Sequence, residues 1–282
     1  MKALILGAGG QLGAELAAVC GERGDTVHAF TRAELDVRDG ARLRELVRHL
    51  RPDVVFNAAA YTAVDRAESE PDLAFEVNGH AVARVAQVCR DLVVPLVHYS
   101  SDYVFDGTAT SPIPEDATPH PVGVYGRSKL EGEEAVSRSG ADAWVVRSSW
   151  VYASRGRNFL SAIMERASRG QPLRVVSDQR GSPTFARDLA RASRRLVEVG
   201  PHGVYHLTNS GECTWLDLAR ATLALAGLAA EVEPVTTAEW AAPAPRPAYS
   251  VLANTRWLAL GEPPLRPWQE ALAECVPEMG GA

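Results

Sequence analysis

Cysteine is scarce in this chain: four in 282 residues, at Cys20, Cys89, Cys213 and Cys275. None stands within ligand spacing of another, so neither a zinc site nor a disulfide framework is expected. Four reduced thiols suit a cytoplasmic protein. Long apolar runs are also missing. Residues 3–6 are too few for a signal-peptide core, and no stretch approaches the length of a membrane span. There is no excess of basic charge either. The formal net charge is −6, which argues against non-specific binding to nucleic acid. An anionic ligand stays open, because a few placed basic groups hold one against the global sign. The seven histidines suggest no metal-binding set, so no catalytic metal is expected. Internal repeats and low-complexity blocks are absent from the sequence.

What is present is an ordinary globular composition, 46% hydrophobic and 23% charged, long enough to bury a full core without staples. Short apolar runs alternate with amphipathic stretches. Residues 3–6, 27–30, 54–56, 96–99 and 144–147 read as strands. Residues 12–23, 41–50, 73–92 and 126–138 read as helices. Strands this short and continuously apolar suit a parallel sheet covered on both faces. The alternation predicts a doubly wound α/β sheet of the Rossmann type. After Trp150 the rhythm loosens, with helices at 159–167, 186–199 and 215–226 and strands near 173–176 and 203–207. Prolines cluster from Pro243 to Pro267, a composition expected to wrap and line a pocket. The expected division is a dinucleotide-binding domain over 1–149 and, mainly, a smaller irregular substrate-binding lobe over 150–282. Some later segments are expected to return to the first domain.

Gly7, Gly10 and Gly13 follow the first strand and open the first helix as Gly-x-x-Gly-x-x-Gly. Glycine serves there because the turn is tight and the backbone must approach a pyrophosphate closely. The free N–H groups of the helix start then face the anion. At the end of the second strand stand Thr31 and Arg32, with no carboxylate to take a ribose 2′-hydroxyl. Arg32 suits a 2′-phosphate, which favours NADPH while leaving NADH open. Asp36, a little further on, is a candidate to face the adenine.

Tyr125 and Lys129 stand four apart at a helix start and so share a face. A fixed lysine charge is expected to pull the phenol from its usual pKa of about 10 toward working pH. Such a phenol gives a proton to an alkoxide as hydride arrives. Ser101, just past the fourth strand, is placed to hydrogen-bond a carbonyl and hold it against Tyr125. Trp150, past the fifth strand, has an aromatic face for a base or sugar, or else is core. His98 and His206 sit in apolar strands and read as packed.

These features together resemble the extended short-chain dehydrogenase/reductase superfamily. Longer strings narrow the likeness: 57–65 (NAAAYTAVD), 101–107 (SDYVFDG), 147–152 (RSSWVY), 178–184 (DQRGSPT), 203–207 (GVYHL) and Arg246-Pro247. This set is similar to the dTDP-4-dehydrorhamnose reductase family and covers essentially the whole chain. The resemblance implies reduction of the C4 ketone of a dTDP-4-keto-6-deoxy sugar, most simply dTDP-4-dehydro-L-rhamnose. It implies that Gly10, Gln11 and Leu12 bind the cofactor pyrophosphate. Asp36 and Val37 would lie by the adenine, and Ala59, Ala60 and Tyr61 along the cofactor. Tyr99 would sit near the nicotinamide ribose, with Tyr125 as proton donor and Lys129 as its partner. Ser101, Asp102, Tyr103 and Trp150 would meet the nucleotide sugar. Ser101 replaces a more usual threonine and keeps the hydroxyl, and Arg66 stands where a lysine is usual. A homodimer is common in the superfamily, and some relatives hold magnesium between subunits. Related dehydratases carry an acid where this chain has Tyr103, and related epimerases have a different string after Ser101. A regulatory subunit that binds dinucleotide without turnover would have lost Ser101, Tyr125 or Lys129, and all three are present.

Overall fold

The computed structural model describes residues 1–280, so the last two residues of the expected second lobe lie outside the described residues. Six strands form one sheet: β1 (Lys2–Leu6), β2 (Thr26–Phe30), β3 (Val54–Asn57), β4 (Leu96–Ser101), β5 (Ala143–Ser148) and β6 (Gly203–His206). All its pairings are parallel, in the order β6-β5-β4-β3-β1-β2. Alternate residues of β1 enter opposite cores. Ala3 and Ile5 join one cluster, and Leu4 and Leu6 the other. That explains why the strand reads as an unbroken apolar run.

The helices divide between the two faces. Helix α1 (Gln11–Glu22) lies with a later helix, α6 (Ala186–Val199), on the first cluster. On the other lie α2 (Gly40–Leu50), α3 (Ala81–Leu92) and α4 (Val124–Ser139). Three further long helices are α5 (Phe159–Ser168), α7 (Trp215–Leu225) and α8 (Trp268–Met279). They enclose separate cores around Tyr152, Leu160, Leu218 and Leu272, and around Ile163 and Leu216. The chain after residue 150 thus begins these separate cores, returns to the sheet through α6 and β6, and then completes them.

Two sequence expectations change. The helix read over 73–92 is interrupted by a π-helical turn, Glu76–His80. The wide turn brings Asn78 inward, where it clamps the Tyr61 backbone through both N–H and C=O and donates to Ser128 Oγ at 3.0 Å. Such turns often mark functional sites. The proline-rich stretch, expected to line a pocket, lines a small one beside α6 with Pro263 and Pro264 but is absent from the wall of the main cleft. It braces the rear of the loop after β4 instead. A Cβ on Gly107 would come within 2.5 Å of Pro247, and Arg246 pairs with Asp65 at 2.9 Å. Helix α8 is a further element that the sequence reading leaves out, although Trp268, Ala271, Leu272, Cys275 and Val276 are buried at helical spacing.

Candidate active site

Strand order reverses between β1 and β3, and in such sheets ligands sit beyond the carboxyl ends of the strands at that point. A cleft of about 860 Å³ opens there. Its floor is the glycine turn. The N–H groups of Gly7 and Ala8 both donate to the Phe30 carbonyl, binding the turn to β2. Gly7 has φ +79°, and a Cβ there would strike Ala59 N at 2.6 Å. A Cβ on Gly13 would come 2.2 Å from the Gly7 carbonyl oxygen. Only glycine serves at both places. No side chain caps α1, and Gly10, Gln11 and Leu12 line the cleft, so the amides of the first turn remain for a ligand. This cradle fits a dinucleotide diphosphate. Ala59 and Ala60, beyond β3, continue the same wall.

The reactive end lies where β4 meets α4. Ser101 Oγ donates to Asp102 Oδ1 at 2.8 Å and accepts from the Tyr103 amide at 3.2 Å. Gly126 lets α4 touch this turn, since a Cβ there would lie 2.1 Å from the Tyr103 carbonyl oxygen. Tyr125 and Lys129 project from α4, both buried, and Tyr103 meets Tyr125 edge-on at 5.3 Å. Lys129 Nζ donates to the Tyr99 carbonyl at 2.6 Å. Burial brings the Lys129 pKa down to about 8, against the opposing pull of Glu133 one turn on. Burial also lifts the Asp102 carboxyl to about 6, and its Oδ2 has no hydrogen-bond partner among the described residues. Burial, then Asp102 and Tyr103, push the Tyr125 phenol well above its ordinary value, with the Ser101 hydroxyl opposing. The expectation of a phenol drawn down by Lys129 is therefore overturned. Tyr125 is held as a neutral O–H, the form that donates a proton.

The far wall belongs to the later lobe. Trp150 adopts φ +48°, rare for a bulky residue, and its ring stacks on Trp215 at 3.7 Å and 10°. A Cβ on Gly181 would come 2.5 Å from the same ring, so a side chain there would displace the indole. One face of Trp150 is thus taken by protein rather than left for a base. Strained backbone of this kind costs about 1–3 kcal/mol and clusters at ligand sites.

The cleft gathers Gly10, Gln11, Leu12, Ala59, Ala60, Tyr99, Ser101, Asp102, Tyr103, Tyr125, Lys129 and Trp150. Gly7 and Gly13 shape its floor from beneath. Thr31, Arg32, Asp36, Val37 and Tyr61 lie outside its lining. Tyr61 is turned to Glu70, and the Tyr99 ring is buried in the core against α1 and α6, leaving its backbone to the cleft. Val37 is core. Asp36 is held by Arg38 in a two-pronged pair that keeps its pKa near 2, with the exposed Arg32 at 3.7 Å. A carboxylate does return to the end of β2: Glu34 accepts from both the N–H and Oγ1 of Thr31 at 2.8 Å. The reading of β2 missed it because the intervening turn folds it back. Trp215, Asn158 and the arginines of the 153–158 loop also went unread, and no spacing marks them. His202, just before β6, and His206, at its end, form one His-x-x-x-His spacing. His202 faces Asp142, while His206 is buried against the Ile113 and Ala253 carbonyls. Burial lowers the His206 pKa to about 3. Among the described residues no three metal-ligating side chains cluster, and no helix is long and apolar enough to cross a membrane.

Known proteins share this construction. The chain is 43% identical to a dTDP-4-dehydrorhamnose reductase of Streptomyces griseus, covering 99% of this chain and 94% of that one. It is 40% identical to a dTDP-4-keto-6-deoxy-D-glucose reductase of Streptomyces niveus, covering 97% and 96%. The solved dTDP-4-dehydrorhamnose reductase of Bacillus anthracis, in complex with NADP, superposes with a TM-score of 0.95 at 33% identity, covering 99% and 100%. A family model described as the RmlD substrate binding domain matches residues 1–280, and on that near-complete match this chain belongs to the family.

Proposed function

We infer that this chain reduces the C4 ketone of a dTDP-4-keto-6-deoxy sugar with NADPH, converting dTDP-4-dehydro-L-rhamnose to dTDP-L-rhamnose. The observation that carries the reading is a neutral, buried Tyr125 phenol beside Ser101, with Lys129 one turn along the same helix. When bound, the nicotinamide supplies hydride. Tyr125 then gives its proton to the sugar oxygen as charge develops there. Ser101 turns its O–H from Asp102 to the carbonyl and holds it in place. The Lys129 ammonium, fixed by the Tyr99 carbonyl, offers its remaining protons to the cofactor ribose and steadies the phenolate left behind. Tyr103 has no carboxyl with which to run an elimination, which supports a one-step reduction.

Arg32 and Glu34 set opposite charges at the end of β2, so we assign NADPH as the preferred donor with NADH accepted. The lobe over 150–280 serves the sugar nucleotide. The four cysteines, free and buried, suit a reducing cytoplasm. The near-equal identity to the Streptomyces niveus reductase favours one second reading, a 4-ketoreductase for a different 6-deoxy sugar. NADPH oxidation with dTDP-4-keto-6-deoxy-L-mannose tests the assignment, with NADH alongside. Turnover is expected, and Tyr125→Phe should lower it by roughly 10² or more with NADPH affinity unchanged. A near-normal rate in that variant would remove Tyr125 from the chemistry.

A further inference from the structure

One wall of the cleft is the glycine turn. Across the cleft from it runs the loop between residues 153 and 158, which belongs to the later lobe. Its Asn158 Nδ2 donates to Gln11 Oε1 at 3.1 Å, a bond between residues 147 apart in sequence. Gly156 comes close enough that a Cβ there would touch Gln11 Cγ at 3.7 Å. The same Asn158 caps α5 and bonds the Ala153 carbonyl, so both ends of the loop are tied. Between these ties stand Arg155 and Arg157, exposed and lining the cleft. Neither is in an ion pair among the described residues. The contrast is Arg187 on the same wall, held by Glu15, Glu274 and Glu278. Glu278 also lies within electrostatic reach of Arg155, but its carboxylate is already taken by Arg187.

We propose that Arg155 and Arg157 form the second half of the cofactor's diphosphate site, a cationic strap that closes over the phosphates from the lobe opposite the glycine turn. The turn offers only backbone N–H groups and a partial helix charge. A bound diphosphate brings full negative charges, and two guanidinium groups across the cleft complete their neutralisation. The Asn158–Gln11 bond puts the strap over the turn that holds the phosphates, rather than over the sugar end near Trp150. The inference rests on a dinucleotide occupying the cleft, not on which sugar is reduced.

The test uses the full chain and the Arg155→Ala/Arg157→Ala double variant, both sites being exposed. Binding of NADPH, NADH and dTDP is followed by nucleotide fluorescence and calorimetry, with dTDP titrated onto the NADP⁺-loaded protein. Roughly tenfold or greater weakening of NADPH and NADH alike is expected, with a shallower dependence on salt and dTDP affinity kept. The double lysine variant should recover part of the loss. Unchanged dinucleotide affinity would overturn the proposal. Loss confined to NADPH would reassign the arginines to the 2′-phosphate, and loss confined to dTDP would reassign them to the substrate's diphosphate. Wild-type protein that binds NADPH yet reduces no keto sugar would defeat the proposed function and leave this inference standing.

Discussion

Asp102 shows how one side chain trades stability for chemistry. Its carboxyl is buried and lifted to about 6, against the opposing pull of the Ser250 and Ser101 hydroxyls. An acid whose folded pKa lies above its unfolded value weakens the fold as pH rises past the unfolded value, and fully so above the folded one. The penalty fades as pH falls through 6 and is gone below about 4. Asp102→Asn should therefore stabilise the protein at pH 8, by up to about 3 kcal/mol, with a smaller gain at pH 5. Thermal unfolding at the two pH values checks this. A lower Tm for the variant at pH 8 would mean that the carboxylate is better satisfied than its burial implies. Tyr125 is the companion case. Its position and its partner Lys129 were legible from a four-residue spacing, but the sign of its pKa shift was not. That sign depends on burial and on the charges of Asp102 and Tyr103, which only the fold brings together.

At the scale of elements, the site depends on how closely α4 meets the turn after β4. Gly126 is the contact point, and the π-helical turn with Asn78 braces the same helix from the other side through Ser128. Gly126→Ala should push α4 from the Ser101–Tyr103 turn. We expect at least a tenfold loss of turnover and a cost of about 1–3 kcal/mol. Gly21→Ala is the control. Nothing lies within 4 Å of a Cβ there, and the residue is in α1, so a gain of about 0.5–1 kcal/mol is expected. Urea unfolding and steady-state rates on both variants decide it; equal behaviour would show that the α4 contact is not limiting. The sheet strands and the helices that cover them were readable because each carries a largely apolar run or face. The π-helical turn was not, because residues 73–92 keep a helical pattern straight through it.

At the scale of the molecule, helices and strands were legible in both halves, but the site was legible mainly in the first. A doubly wound sheet repeats one rule, and Gly7, Ser101, Tyr125 and Lys129 sit at places that rule specifies. The later lobe joins its helices through short ladders, tied loops and cores around Trp150–Trp215 and Trp268, whose mutual packing no local spacing marks. Its contributions to the cleft, Trp215 and the 153–158 loop, exist only once α6 and β6 have carried the chain back to the sheet. The two halves meet to pass one hydride, once, to a sugar ketone. Tracing deuterium from nicotinamide-4-deuterated NADPH tests that most directly. One deuteron at sugar C4 per cofactor oxidised, with the cofactor consumed in step, is the predicted result. Deuterium returned to the cofactor, or a changed sugar with no net oxidation, would contradict it and point to epimerisation or elimination instead.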